Sequence, residues 1–175
     1  MSQLLCACFM DIEHIAVIGS GQMGNGIAQV AACAGYNVTM VDIKQEFVDK
    51  GMETISRSLQ RLVSKERMSQ KEADLAISRI QTSTDNNSCE NADLVVEAIP
   101  EIPELKYSTF SNLDSICKDS TILATNTSSI SIDSIAASTS RPEKVIGMHF
   151  MNPVPIMKLV EVINGSNTSS EVTSA

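Results

Sequence analysis

Gly19-Ser20-Gly21-Gln22-Met23-Gly24 is a G-x-G-x-x-G run that directly follows an apolar, β-branched stretch, Ile15 to Ile18, and opens a segment of small residues, Gly24 to Ala34. That placement is what gives the run meaning. In a strand-turn-helix unit the first glycine permits the tight turn. The second lets the backbone approach a pyrophosphate, and the third lets the helix pack closely on the strand. The helix N-terminus then offers free N–H groups and the positive end of its dipole to the anion. Asp42 closes the next apolar run and follows Gly24 by 18 residues, near the ~20 at which an acid meets an adenosine ribose. A carboxylate there accepts hydrogen bonds from ribose hydroxyls and repels a 2′-phosphate, so NAD is expected over NADP. Lys44, two residues on, argues partly the other way.

His149, one of two histidines, ends the run Val145 to His149 and is followed by Asn152-Pro153. Ligands of open parallel sheets bind at the carboxyl ends of strands, where a histidine can reach a substrate. Glu161 is the one charge in the apolar run Leu159 to Ile163, and an isolated carboxylate in a buried run is unfavourable unless paired. A His149–Glu161 contact would relieve that and fix the imidazole tautomer, as a general base requires. From spacing alone a second arrangement stands beside it, with Glu161 on a sheet edge and His149 a satisfied core histidine, and it is the commoner one. Asn126-Thr127-Ser128-Ser129 also follows a strand-like run, and reads either as ligand-facing polar groups or as turn and capping residues. Glu97 and Glu101 are a carboxylate pair or a solvated loop end. Ser58 and Lys65 by themselves are surface residues. His14 has no evident partner.

These residues need elements to position them. Short apolar runs recur at Ile15–Ile18, Val38–Val41, Leu94–Val96, Thr121–Ala124, Val145–Met148 and Leu159–Ile163, as strands covered on both faces do. Between them lie helical patterns. Gly24 to Ala34 is stopped by Gly35. Phe47 to Val63 carries one apolar stripe, at Val48, Met52, Ile55, Leu59 and Leu62. Ser69 to Ile80 opens with Ser69 and Glu72 in capping-box spacing, and Glu104 to Cys117 and Ile132 to Ala137 follow later strands. The alternation predicts an α/β fold of Rossmann type: a doubly wound, mostly parallel sheet with helices on both faces, and a helical hairpin inserted between strands. Expected boundaries are an N-terminal extension over 1–12, the dinucleotide-binding domain over 13–166, and a polar linker beginning over 167–175.

The chain has 175 residues, 43% hydrophobic and 19% charged, with a formal net charge of -8. That is one globular domain, and its charge repels a phosphate backbone, so nucleic acid is not an expected partner. Five cysteines without C-x-x-C spacing suit a reducing compartment. No run reaches the ~18 apolar residues of a membrane span. Met1 to Met10 lacks a basic n-region, and the last residues are not a peroxisomal S-K-L. The cytoplasm is therefore the expected location, with mitochondrion and peroxisome open.

Four runs together carry a resemblance: Ile18 to Val30, Val95 to Glu101, Asn126 to Ser129, and above all Gly147 to Pro155 with Met157 to Glu161, an H-F-x-N-P-x-P-x-M-K-L-V-E block. In order and spacing, over about Ile15 to Ser170, they closely resemble the NAD-binding domain of the 3-hydroxyacyl-CoA dehydrogenases, and within that family the 3-hydroxybutyryl-CoA branch. The resemblance implies NAD-dependent oxidation of an (S)-3-hydroxyacyl-CoA, with His149 as base and Glu161 orienting it. It implies Ser128 at the substrate oxygen, Asn152 at the nicotinamide end, and Glu101 and Lys106 toward the cofactor's ribose. Ser58 and Lys65 match positions that touch CoA. It also implies an all-helical domain after the linker that forms a homodimer. This chain is expected to stop short of that domain, leaving it to a partner chain, or leaving a module that binds NAD(H) without turnover.

Overall fold

The computed structural model describes residues 11–175. The first ten residues of the extension expected over 1–12, with Cys6 and Cys8, lie outside the described residues. Seven strands form one sheet: β1 (His14–Ile18), β2 (Asn37–Val41), β3 (Ile80–Ser83), β4 (Leu94–Glu97), β5 (Ile122–Thr125), β6 (Val145–Phe150) and β7 (Val160–Asn164), in spatial order β3-β2-β1-β4-β5-β6-β7. The first six run parallel and β7 runs antiparallel to β6. The strand order reverses between β1 and β4, and in such sheets the ligand crevice lies at that switch point.

The helices are α1 (Gln22–Ala34), α2 (Gln45–Ser64), α3 (Gln70–Ser78), α4 (Pro103–Ile116), α5 (Ile132–Ala136) and α6 (Ser170–Ser174). Successive strand residues alternate between two cores. Ile15, Val17, Val38, Met40 and Val96 pack with Ile27, Ile55 and Leu59 on one face, while Ala16, Ile18, Val95 and Leu123 pack with Phe110 and Leu113 on the other. Both faces are dry, so the central strands read as unbroken apolar runs rather than as alternation. The capping box at α3 forms as the spacing predicts, with Ser69 and Glu72 each bonding the other's backbone N–H.

Three elements depart from the sequence reading. Ile80, expected at the end of a helix, begins β3, a short edge strand whose remaining residues, Gln81 to Ser83, are polar or exposed. The run Leu159 to Ile163, expected to be covered on both faces, is a sheet edge in which Leu159 is 56% and Val162 54% exposed. The polar stretch read as a linker turns into α6, capped by Ser169, with Val172 buried in the first core. Among the described residues, Cys33, Cys89 and Cys117 are free thiols, and burial pushes Cys89 up to about 12 and Cys117 to about 11.

Candidate functional site

The turn from β1 into α1 is built on two steric facts. Gly19 sits at φ +99, a conformation L side chains rarely adopt, and a Cβ there would lie 2.8 Å from the Ala98 carbonyl oxygen. A Cβ on Gly24 would fall 1.7 Å from the Gly19 carbonyl oxygen, so any side chain would push the helix off the loop. At Gly21 the same imaginary Cβ meets nothing within 4 Å, which leaves open space beside the backbone. No side chain caps α1, so among the described residues its first N–H groups have no side-chain partner and are left to that space. This is the cradle a pyrophosphate fits.

Asp42, at the end of β2, faces the same loop. Its Oδ2 accepts from the backbone N–H and the hydroxyl of Ser20, both at 2.7 Å, and its Oδ1 accepts from the Ile43 N–H at 2.7 Å. A carboxylate has about four acceptor positions, so capacity remains for a ribose hydroxyl. Lys44 is engaged elsewhere, 3.6 Å from Glu46 and 5.4 Å from the centroid of Phe47. Its availability to a 2′-phosphate is correspondingly reduced.

A buried charge cluster lies at the ends of β4 and β5. Lys106 is 1% and Glu97 0% exposed. The Lys106 ammonium lies 2.6 Å from Glu97 Oε1 and 3.3 Å from Glu101 Oε2. Glu97 also accepts from the Ile99 N–H and the Thr125 hydroxyl, each at 2.7 Å. Glu101 Oε1 gathers the loop after β5, accepting from the Thr127 hydroxyl, the N–H groups of Ser128 (3.0 Å) and Ser129 (3.3 Å), and the Ser129 hydroxyl. Burial pushes the Glu101 carboxyl up, but the Thr127 hydroxyl, the Lys106 charge and the Ser128 N–H outweigh it and hold it below the usual carboxylate range. Lys106, implied by the resemblance as a cofactor contact, is enclosed, its ammonium held between Glu97 and Glu101. The pair Glu97 and Glu101 is neither a solvated loop end nor an acid/base dyad, but two carboxylates joined by one ammonium.

β6 and β7 bring the last pair together. His149 and Glu161 are direct cross-strand partners, and His149 Nδ1 lies 2.8 Å from Glu161 Oε2. The contact expected from chemistry exists, yet the reason given for it needs correcting. The Glu161 side chain is 52% exposed because β7 is an edge, so its desolvation does not drive the pairing; register does. The Nδ1 contact leaves Nε2 as the ring nitrogen not bonded to Glu161. After β6 the chain folds back over α1, where buried Val154 packs at Gly26. This carries Asn152 to within 3.2 Å of the Gln22 amide, its Oδ1 accepting from Gln22 Nε2. The glycine loop and the histidine edge are thereby joined.

A cleft of about 1320 Å³ opens at the glycine loop, lined by Gly19 to Met23, Asp42 and Ile43 on one side. Its far wall was not visible in the sequence: Thr84 to Asn87, the loop after β3, together with Leu105 and Asn112 of α4. A polar loop after an unrecognised strand was the sole available signal. Ser128, half-buried His149 and Asn152 lie beyond this cleft. Ser58, half-buried on α2, and Lys65, exposed at its end, do not line it. Among the described residues there is no cluster of three or more His, Cys, Asp or Glu that would hold a metal, and no helix is long and apolar enough to cross a membrane.

A strand-glycine loop-helix turn open to an anion, with Asp42 bonded to that loop and a His149–Glu161 pair on the antiparallel strand pair at the sheet's end, is the arrangement of dinucleotide-dependent dehydrogenase domains. A family model described as 3-hydroxyacyl-CoA dehydrogenase, NAD binding domain, matches residues 14–175. A Bacillus subtilis protein named probable 3-hydroxybutyryl-CoA dehydrogenase is 50% identical over 162 residues, covering 93% of this chain and 56% of that protein. The crystal structure of (S)-3-hydroxybutyryl-CoA dehydrogenase from Ralstonia eutropha superposes with a TM-score of 0.92 at 44% identity, covering 94% of this chain and 58% of that one. A 3-hydroxyadipyl-CoA dehydrogenase of Escherichia coli is 42% identical, with 93% of this chain matched to 34% of that protein. The chain belongs to the 3-hydroxyacyl-CoA dehydrogenase family and carries its NAD-binding domain, while spanning a little over half the length of the first two relatives.

Proposed function

We propose that this chain serves the NAD-dependent oxidation of (S)-3-hydroxyacyl-CoA thioesters to 3-oxoacyl-CoA, a step of fatty acid β-oxidation and 3-hydroxybutyryl-CoA metabolism. One observation carries the reading: His149 Nδ1 held 2.8 Å from Glu161 at the carboxyl edge of the sheet, beside a glycine loop built for a dinucleotide. NAD, when bound, supplies the acceptor for the hydride leaving C3. His149 Nε2 takes the proton of the 3-hydroxyl as the C–H bond breaks, so that a hydroxyl becomes a ketone with one hydride and one proton removed. Glu161 keeps the imidazole in the tautomer with Nδ1 protonated. Ser128, presented by the Glu101-anchored loop, donates to the substrate oxygen, and Asn152 stands toward the nicotinamide. Ser58 and Lys65 meet the CoA moiety, Lys65 as a phosphate partner.

The exposed apolar edge at β7 and the greater length of the relatives suit a helical domain completing the acyl pocket. The cytoplasm is the proposed location. The test is NADH oxidation by the purified chain with acetoacetyl-CoA, beside an NADH titration. Turnover that disappears in His149→Gln, with NADH affinity held within about threefold, is the expected result. An unchanged rate in that variant removes His149 from the mechanism. Tight NADH binding without turnover supports instead a cofactor-binding module.

A further inference from the structure

Strand β6 outruns its neighbour on one side. Pairing with β5 ends at Thr125 opposite Gly147, whereas pairing with β7 continues through His149 to Phe150 opposite Val160. The last three residues of β6, including His149, thus have a strand on one flank alone. On the other flank a single side chain stands in for the missing strand: Asn126 Oδ1 accepts from the Phe150 N–H at 2.8 Å. A half-buried N–H at a strand end frays unless something takes its proton. Here the acceptor belongs to the residue immediately after β5.

Asn126 is itself held rigidly. Its own N–H donates to the Glu97 carbonyl at 2.8 Å. The preceding Thr125 hydroxyl donates to the buried Glu97 carboxylate, and the following Thr127 hydroxyl donates to Glu101. Both carboxylates are tied to the same ammonium, that of Lys106. The buried charge cluster therefore fixes the residues on either side of Asn126, and Asn126 passes that rigidity across to β6, one residue beyond the imidazole.

We propose that Asn126 is a positioning residue for His149, its side-chain oxygen acting as the last rung that the β5–β6 ladder lacks. The proposal rests on the reading of His149 as the base, and its consequence is local. Without the rung, the Phe150 peptide detaches, the end of β6 moves away from β5, and His149, still opposite Glu161, is no longer held at one position relative to the rest of the sheet.

The test is made on the full chain without cofactor or substrate. The chain has two histidines, so a ¹⁵N-imidazole spectrum holds two sets of signals, and His149→Gln assigns them. In Asn126→Ala the Phe150 amide is expected to exchange with D₂O about tenfold faster, while the Ile146 amide, in the β5-paired part of β6, keeps its protection. The His149 signals are expected to shift and broaden. Asn126→Asp, which keeps an oxygen acceptor at the same place, is expected to restore Phe150 protection. With NADH added, Asn126→Ala is expected to keep its affinity within about threefold while any turnover falls by about tenfold. Unchanged Phe150 exchange and His149 signals in Asn126→Ala would overturn the proposal, as would an aspartate variant no better than alanine, or a loss of NADH affinity matching the loss of rate. A wild-type chain with no turnover would refute the proposed activity alone, since the amide and imidazole readings decide the role of Asn126 without it.

Discussion

Lys106→Met isolates the energetics of the buried charge cluster. The substitution keeps the length and apolar contacts of the stem but removes the ammonium that lies 2.6 Å from Glu97 and 3.3 Å from Glu101. Glu97 retains the Ile99 N–H and the Thr125 hydroxyl, yet at 0% exposure its charge has no water to turn to. Removing one partner of a buried pair costs about 3–5 kcal/mol, whereas an exposed pair is worth about 0.2–1 kcal/mol. Burial alone makes the difference. Against the about 5–15 kcal/mol of a domain this size, that loss lowers the melting temperature by roughly 6–20 °C. The chain contains no tryptophan, and urea unfolding followed by far-ultraviolet circular dichroism is the suitable assay. Adding Glu97→Gln removes the stranded charge and is expected to recover more than about 1 kcal/mol, a coupling a double-mutant cycle resolves. A loss below about 1 kcal/mol for Lys106→Met, or no recovery in the double variant, would refute the reasoning that these charges are desolvated and interdependent.

Two further predictions concern the cofactor and acid stability. Asp42→Ala removes an acceptor for the ribose and releases Ser20 from its two hydrogen bonds. A hydrogen bond to a charged group is worth about 1.5–3 kcal/mol, so NAD affinity should fall roughly 10- to 100-fold while NADP affinity changes little. Isothermal titration with both cofactors checks this, and equal losses count against the ribose assignment. For pH, burial pushes Asp114 up, but its hydrogen bonds from Ser140 and Arg141 prevail and hold it below the usual carboxylate range. At Asp93, burial is likewise outweighed by Lys118 and the Glu13 and His14 N–H groups. Carboxylates lowered in the folded state contribute stability that is fully present above their unfolded values near about 4 and is lost as pH falls through the lowered ones. The melting temperature should therefore be level from neutral pH to about 5 and drop below about 4, with a shallower drop in Asp114→Asn. Stabilisation on acidification would contradict this.

The parts of the fold legible in the sequence are those where local chemistry and global position agree. The glycine run between β1 and α1, the capping box of α3 and the unbroken apolar strands at the sheet centre each carry their own physical signature. β3 carries none, because a short edge strand needs one buried residue, Ile80, and that residue also fits the helical stripe before it. Leu159 to Ile163 misleads in the other direction: its composition is that of a covered strand, while its position at the sheet edge leaves it exposed. The site was legible in its ends but not its middle. His149 and Glu161 could be paired from chemistry, although the pairing follows from antiparallel register rather than from burial. The burial of Lys106 could not be read, since lysine is rarely enclosed and nothing in α4's pattern distinguishes an inward from an outward ammonium. Nor could Asn126, whose role depends on where β5 stops relative to β6.

The reversal of direction at β7 gives the site a mechanical property. Because His149 and Glu161 stand directly opposite each other on one two-stranded ribbon, the spacing between them is set by the ladder itself, about 4.5–5.5 Å between facing Cβ atoms. Twisting or tilting of the ribbon, as a cleft opens or closes over a ligand, carries both groups as one body. Distance to the substrate can vary while the pairing that tunes the imidazole stays constant. A slip of one residue along the ribbon would undo this at once, placing a valine opposite His149 and turning Glu161 to the other face. Motion of the ribbon as a whole thus leaves the His149–Glu161 pairing intact, and a slip along the strands does not.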